Sequence, residues 1–432
     1  MKRRDFLHGV AGTTLAGPLV IPASVLGKGG ATAPSERIVV GSIGMGGRGS
    51  GHINEISAFP EVQVVAVCDV QRQRAEAARQ RMDAKYAEQT SSGTYKGCAL
   101  HQDFRELLAR PDIDAVTIAS PENWHAIMSI EAMKAGKDVY CEKALSLTVR
   151  EGRAVCDAAR RSGRVFQAGT QQRSDARFRF ACELARNGYL GKVHTVTVGV
   201  PSGRRELHLP AAPVPEGLDY DLWLGPAPFK PYRDGLCSYN WYFFTDYCAG
   251  WIQSWGVHHV DIALWGQPSL CATTLTVEGT ADFVAEGDAD VSFGWQTRLT
   301  TPDGLVLRFH DDKSSPFGHG VRFEGDKGWV HVVRGGIDAQ PKSLLDATIQ
   351  PGEEHLYRSD HHMENFVRCI RSRRDPAAPV EACHAATTAT LIADIATRTG
   401  RKLTWDWKKE QFLNDDGANR MLTRTLRSPW HV

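Results

Sequence analysis

Val39-Val40-Gly41-Ser42-Ile43-Gly44-Met45-Gly46-Gly47-Arg48-Gly49 reads as a buried strand, a glycine-rich turn and the first residues of a helix. Gly44, Gly46 and Gly49 fall in a G-x-G-x-x-G pattern. Each glycine has a separate physical task in such a turn. The first permits the tight turn, the second lets the backbone approach a pyrophosphate, and the third lets helix and strand pack closely. The unpaired amides and the dipole of the helix start favour an anion there. A glycine-rich turn alone is weak evidence, because a turn needs glycine whether or not it binds anything.

The second strand supplies the context. Val62-Gln63-Val64-Val65-Ala66-Val67-Cys68 is apolar almost throughout and ends at Asp69, 20 residues after Gly49. An acid at that strand end accepts hydrogen bonds from a ribose 2′-hydroxyl and repels a 2′-phosphate. The reading is therefore NAD, with NADP disfavoured. A plain helix cap is the competing role for Asp69.

Further strands and helices alternate. A helix is expected over 71–86 and a short one over 104–109. Ala115–Ala119 reads as a strand ending at Ser120-Pro121, followed by a helix over 125–135. Asp138–Cys141 is a strand ending at Glu142-Lys143, followed by a helix over 149–161 and a strand over 164–169. This alternation indicates a doubly wound parallel sheet of Rossmann type, an α/β fold. Ligands in such sheets sit beyond the carboxyl ends of the strands. Gly44, Asp69, Ser120, Glu142, Lys143 and Gln171 all fall at such ends. A lysine ending a buried strand is costly unless it is used, which marks Lys143 as a candidate for proton transfer. Pairing with Glu142 is its ordinary structural alternative.

The chain resembles the Gfo/Idh/MocA family of sugar and cyclitol oxidoreductases. The resemblance rests on Gly44–Gly49, Ala66-Val67-Cys68-Asp69, Ser120-Pro121-Glu122-Asn123-Trp124-His125 and Tyr140-Cys141-Glu142-Lys143. It extends to Gly169-Thr170-Gln171-Gln172-Arg173, Trp223–Pro228, Trp255–Asp261 and Gly400–Asp406. It implies a nucleotide-binding domain over 36–172 and an α+β domain over 173–432 with a large open mixed sheet. That sheet would carry substrate contacts or the interface of a homodimer or tetramer. Strands are expected over 193–200, 273–279, 289–299, 304–310, 318–324 and 329–333, and late helices over 360–371 and 384–399.

The resemblance also implies site residues. Cofactor contacts would come from Gly44, Met45, Gly46, Gly47, Arg48, Gly49, Asp69, Ser120, Pro121, Asn123, His125, Glu142, Lys143 and Gln172. Lys143 and His258 would be catalytic. Arg173, Asp246, Tyr247 and His258 would contact a carbohydrate. Two positions depart from the family pattern. Ala144 follows the lysine where proline is usual, which would loosen the placing of Lys143. Ser254 stands one helical turn before His258 where an aspartate is usual, and a serine cannot charge-stabilise an imidazole. Asp246 or Asp261 would then have to substitute, or proton transfer would rest on Lys143, or the chemistry would differ.

The N-terminus reads as an address. Arg3-Arg4-Asp5-Phe6-Leu7, an uncharged stretch to Leu26 and the small residues Ala31-Thr32-Ala33 resemble a twin-arginine export signal over 1–33. Export to the periplasm of a protein already folded fits one that loads a dinucleotide first. The stretch is too short and too interrupted by Gly and Pro for stable membrane insertion. Removing its net charge of +3 from the chain's +1 leaves −2, a balance that argues against nucleic acid as a partner. The ten cysteines form no C-x-x-C pair, so no metal site is expected. Cys237 and Cys248 are the pair with most scope for a disulfide.

Three readings follow. The first is NAD-dependent oxidation or reduction of a secondary hydroxyl on a sugar, cyclitol or glycoside, with Lys143 as general acid/base. The second is glycoside cleavage through a tightly bound NAD that is reduced and reoxidised within one turnover. The third, supported mainly by Ser254, is a carbohydrate-binding protein that kept the fold without the chemistry.

Overall fold

Apolar runs bounded by turns become six short parallel strands: β1 (Ile38–Ile43), β2 (Val62–Cys68), β3 (Ala99–His101), β4 (Ala115–Ile118), β5 (Asp138–Cys141) and β6 (Phe166–Ala168). Helices cover both faces, so these strands read as continuous hydrophobic segments rather than alternating ones. Their spatial order is β3-β2-β1-β4-β5-β6, with every pairing parallel. The order reverses at β1 and β4, and the crevice at such a reversal is where a doubly wound sheet binds its ligand. The computed structural model describes residues 36–204 and 206–432. The leader read over 1–33 lies outside the described residues.

The second sheet has nine strands: β7 (Val193–Val200), β8 (Thr274–Phe283), β9 (Ser292–Thr300), β10 (Val306–Asp311), β11 (Gly320–Gly325), β12 (Gly328–Val333), β13 (Gly336–Gln340), β14 (Leu403–Asp406) and β15 (Gln411–Phe412). The order is β13-β12-β11-β7-β10-β9-β8-β14-β15. The β7–β10 pair is parallel and the other pairs are antiparallel, so the sheet is mixed. Helices Gly256–Gly266 and Val380–Thr399 pack together against it. Gly256 is needed at that contact, because a Cβ there would lie 2.6 Å from Phe309 Cζ. Both sheets belong to the single compact unit spanning Ile38–Val432.

Several boundaries differ from expectation. The helix expected from residue 125 begins at Glu122, with Pro121 as its N-cap. The last long helix begins at Val380 behind Pro379, so both prolines sit just ahead of a first turn. The segment around His258 is two pieces, Trp251–Ser254 and Gly256–Gly266. β3 is too short to show a period. The helix Ala176–Arg186, N-capped by Asp175, was not anticipated.

The C-terminal segment returns to the first sheet's helices. Arg424 ion-pairs with Glu151 at 2.8 Å. Trp430 lies edge-on to Trp124 with ring centres 4.6 Å apart. Among the described residues no helix is long and apolar enough to cross a membrane. All ten cysteines are free thiols, Cys237 and Cys248 included.

Candidate active site

A cleft of about 780 Å³ opens at the strand-order reversal, within the usual range for a small-molecule or cofactor site. Its floor is the glycine turn. Gly44 has a φ of +84°, and a Cβ there would lie 2.6 Å from Ala119 O. A Cβ on Gly49 would lie 1.7 Å from Gly44 O, so the helix can cross the turn only as glycine. Gly46 and Gly47 instead face open space, with only Arg74 Nη1 at 3.9 Å from a Cβ on Gly46. Helix Gly47–Ile56 has no side-chain cap, which leaves its first-turn amides for an anion in the cleft. The three glycines therefore divide the labour as their spacing implied.

Asp69 closes the turn from the second strand. It accepts hydrogen bonds from the amides of Met45 (2.6 Å) and Gln71 (2.8 Å). Burial pushes its carboxyl above the usual range, and those two amides and Arg74 oppose the push. A carboxylate has about four acceptor sites, so the ribose hydroxyls can still be received. An open glycine turn, an uncapped helix start and a buried acid beside them fit a dinucleotide of NAD type.

The far end of the cleft holds Glu142 and Lys143. Glu142 Oε1 accepts from Arg48 Nε (2.7 Å), His52 Nε2 (3.0 Å) and Gln171 Nε2 (3.1 Å). Desolvation works against its charge, yet the His52 hydrogen bond and the positive charges around it hold its carboxyl well below the usual range. Lys143 Nζ donates to Ser254 Oγ at 2.7 Å and stands 5.7 Å from the centre of the Tyr242 ring. Ala144 does not leave the lysine loose. Its carbonyl receives His125 Nδ1 at 2.6 Å, and its amide reaches Glu122 Oε1 at 3.4 Å.

His258 lines the same cleft. Burial first, then the charges of Lys143 and Arg334, pushes it well below the ordinary histidine range, so it is a neutral imidazole at working pH. Neither Asp246 nor Asp261 replaces the missing carboxylate. Asp261 is held by Arg173 through two hydrogen bonds of 2.6 and 2.8 Å. Asp246 ion-pairs with Lys230.

Seven expected contacts are not on the cleft wall, Gly49 behind the turn among them. Arg173 is buried against Asp261 with its guanidinium over the Trp265 ring, off the cleft wall. Asp246 and Tyr247 lie outside the cleft wall. Tyr247 is buried against Trp223 with ring centres 4.7 Å apart. Asn123 is turned inward and donates to Leu224 O at 3.2 Å. His125 sits beneath the cleft, between the carbonyls of Ala144 and Ser120. Gln172 is buried away from the cleft, and it is Gln171 that reaches Glu142. The wall does include Gly44, Met45, Gly46, Gly47, Arg48, Asp69, Ser120, Pro121, Glu142, Lys143 and His258.

Three contributors were missed. Trp241 and Tyr242 stack at 3.8 Å between ring centres and form one wall beside Lys143. The dense run Trp241-Tyr242-Phe243-Phe244 was their signal, without any period to interpret. Arg334, from the turn between β12 and β13, also lines the cleft. Among the described residues no group of three or more His, Cys, Asp or Glu side chains is arranged to hold a metal ion.

Comparison with known proteins agrees with this geometry. Residues 38–170 match the model for the Gfo/Idh/MocA oxidoreductase family, NAD-binding Rossmann fold. Residues 200–432 match the model for the C-terminal alpha/beta domain of that oxidoreductase family. The uncharacterized oxidoreductase YrbE of Bacillus subtilis is 32% identical over 68% of this chain and 73% of its own. An alpha-N-acetylgalactosaminidase of Shewanella oneidensis is 36% identical, over 33% of this chain and 31% of its own. The WlbA dehydrogenase of Chromobacterium violaceum, solved with NADH and UDP-GlcNAcA, superposes with a TM-score of 0.62 at 17% identity. That match covers 85% of this chain and 96% of WlbA.

Proposed function

Because the chain belongs to the Gfo/Idh/MocA family of NAD-binding oxidoreductases, we propose that it moves a hydride between NAD and a secondary hydroxyl carbon of a sugar, cyclitol or glycoside. The observation that carries this reading is Lys143 Nζ, held by Ser254 at the substrate end of the dinucleotide cleft. Bound NAD supplies the hydride acceptor or donor. The glycine turn and Asp69 hold the dinucleotide, and Glu142 with Arg48, His52 and Gln171 makes a rigid charged floor. Lys143 takes the hydroxyl proton as the substrate is oxidised and returns it in the reverse direction. Lys143 does this as the neutral amine, becoming the ammonium, and Ser254 aims Nζ throughout by accepting a hydrogen bond from one of its N–H groups. His258, neutral, offers a hydrogen bond to a substrate hydroxyl without competing for the proton. Trp241 and Tyr242 present flat faces to the apolar face of a sugar ring.

Lys143→Ala tests the assignment. NAD affinity should be unchanged while turnover is abolished, measured over a panel of sugars and glycosides with nicotinamide absorbance as the signal. Full turnover in that variant removes Lys143 from the mechanism.

A second reading is favoured by the galactosaminidase likeness over a third of the chain. In it the hydride taken from the sugar is returned after the glycosidic bond has been cleaved, so the products carry no net oxidation. The two readings separate on redox balance. Accumulating NADH supports the first, and sugar release with constant NADH supports the second. Export through the twin-arginine route and assembly as a homo-oligomer complete the proposal. Nucleotide released on denaturing protein purified from the periplasm would support loading before export.

A further inference from the structure

Most of the cleft's cations are already engaged. Arg48 is bound to Glu142, Arg74 donates to Cys237 O at 3.3 Å, and Lys143 donates to Ser254. Arg334 differs. Its guanidinium lies 4.9 Å above the Trp255 ring, and among the described residues no hydrogen bond or ion pair to a carboxylate is formed by it. The turn between two paired strands, β12 and β13, carries it into the cleft. Trp255 is itself in ring contact with His258 at 5.7 Å. Arg334 therefore lines the cleft near His258, the histidine on which the charge of Lys143 also acts.

The placement has a cost. The cleft walls desolvate Arg334 and lower its affinity for a proton, Arg48 adds repulsion, and Glu142 offsets only part of it. A guanidinium held over an indole face offers an oxygen anion donors in a fixed fork. A neutral sugar leaves that fork facing water.

We propose that Arg334 receives an anionic oxygen substituent of the substrate, a carboxylate or a sulfate ester on the sugar, and so selects acidic over neutral carbohydrates. This rests on the reading of the cleft as a carbohydrate dehydrogenase site and narrows its substrate class. One anionic group on the ring would sit at Arg334 while the reacting hydroxyl meets Lys143. Arg334 does not enter the proton transfer.

Titration calorimetry on the NADH-loaded protein tests this with hexuronic acids, hexose 6-sulfates and the matching neutral hexoses as probes. Wild type should bind one anionic class at least tenfold more tightly than the neutral hexoses. Arg334→Met should remove that preference and leave NADH affinity and neutral-hexose affinity unchanged. Arg334→Lys should retain part of the preference, more for sulfate than for carboxylate, since the planar fork is what a carboxylate matches. The uronic and sulfate arms identify which anion is meant. Equal binding of neutral and acidic probes, no saturable binding of either anion, or a preference that survives in Arg334→Met overturns the proposal. Intact acid preference in a protein that oxidises no probe would instead count against the dehydrogenase reading.

Discussion

Lys143 Nζ and Ser254 Oγ are 2.7 Å apart, across 111 residues of sequence. The serine occupies the position from which an acid was expected to serve His258, and it serves the lysine instead. A hydrogen bond to a charged group is worth about 1.5–3 kcal/mol, and each ~1.4 kcal/mol is tenfold in rate. Ser254→Ala should therefore lower kcat about tenfold or more and leave NAD affinity within twofold. Steady-state kinetics beside a nucleotide titration checks it. An unchanged kcat would show that the bond does not aim the lysine.

Asp69 should govern both cofactor choice and the shape of the glycine turn, because one of its oxygens holds the Met45 amide at 2.6 Å. Asp69→Ala removes the ribose acceptor and the repulsion toward a 2′-phosphate together. NAD should bind about tenfold less tightly, on the order of 1.4 kcal/mol, while the NADP-to-NAD affinity ratio rises. Asp69→Asn keeps one acceptor and should fall between. Paired NAD and NADP titrations of the three proteins decide the matter.

The legible part of the molecule was the part built from local, continuous signals. β1, β2, β4 and β5 are buried on both faces, so their apolar runs were plain, and their carboxyl ends gave Gly44, Asp69, Ser120, Glu142 and Lys143 together. Pairings made over long separations were not legible. Arg173 looks like a site residue until Asp261, 88 positions away, is seen to hold it. Gln171, not Gln172, lines the cleft, because the 3₁₀ turn over Gln171–Ser174 buries Gln172. Arg334 and the C-terminal Trp430 carry no local pattern, since tertiary folding alone brings each to its place.

Acid should destabilise this protein above the range in which carboxylates titrate. Burial pushes His258 well below its ordinary value, His259 to about 3 and His362 to about 4. Their unfolded values lie near 6.5. Between about pH 6.5 and 4 the unfolded chain thus binds more protons than the folded one, so stability falls as pH falls. Each such histidine contributes a slope of about 1.4 kcal/mol per pH unit. Glu142, whose folded value is depressed, adds stability that is lost only at still lower pH. Thermal melts from pH 8 to 4.5 should show Tm flat above 7 and falling steeply below 6. Replacing His259 by Gln should make that fall shallower, and a Tm independent of pH down to 5 would contradict the neutral burial of all three.

Arg173 and Asp261 give the sharpest test of a structural against a substrate role. Both are buried, and their two hydrogen bonds of 2.6 and 2.8 Å leave neither charge for a ligand. Removing one partner strands the other charge in the interior, which costs about 3–5 kcal/mol. Arg173→Met and Asp261→Leu should each lower the denaturation midpoint sharply. The double variant removes both charges, and replacing a buried pair by apolar groups is often close to neutral. It should therefore recover most of the lost stability, and with it near wild-type NAD affinity and turnover. A substrate-binding arginine predicts the opposite pattern, with the double variant stable but KM raised as far as in Arg173→Met alone. Chemical denaturation and kinetics on the four members of the cycle distinguish the two.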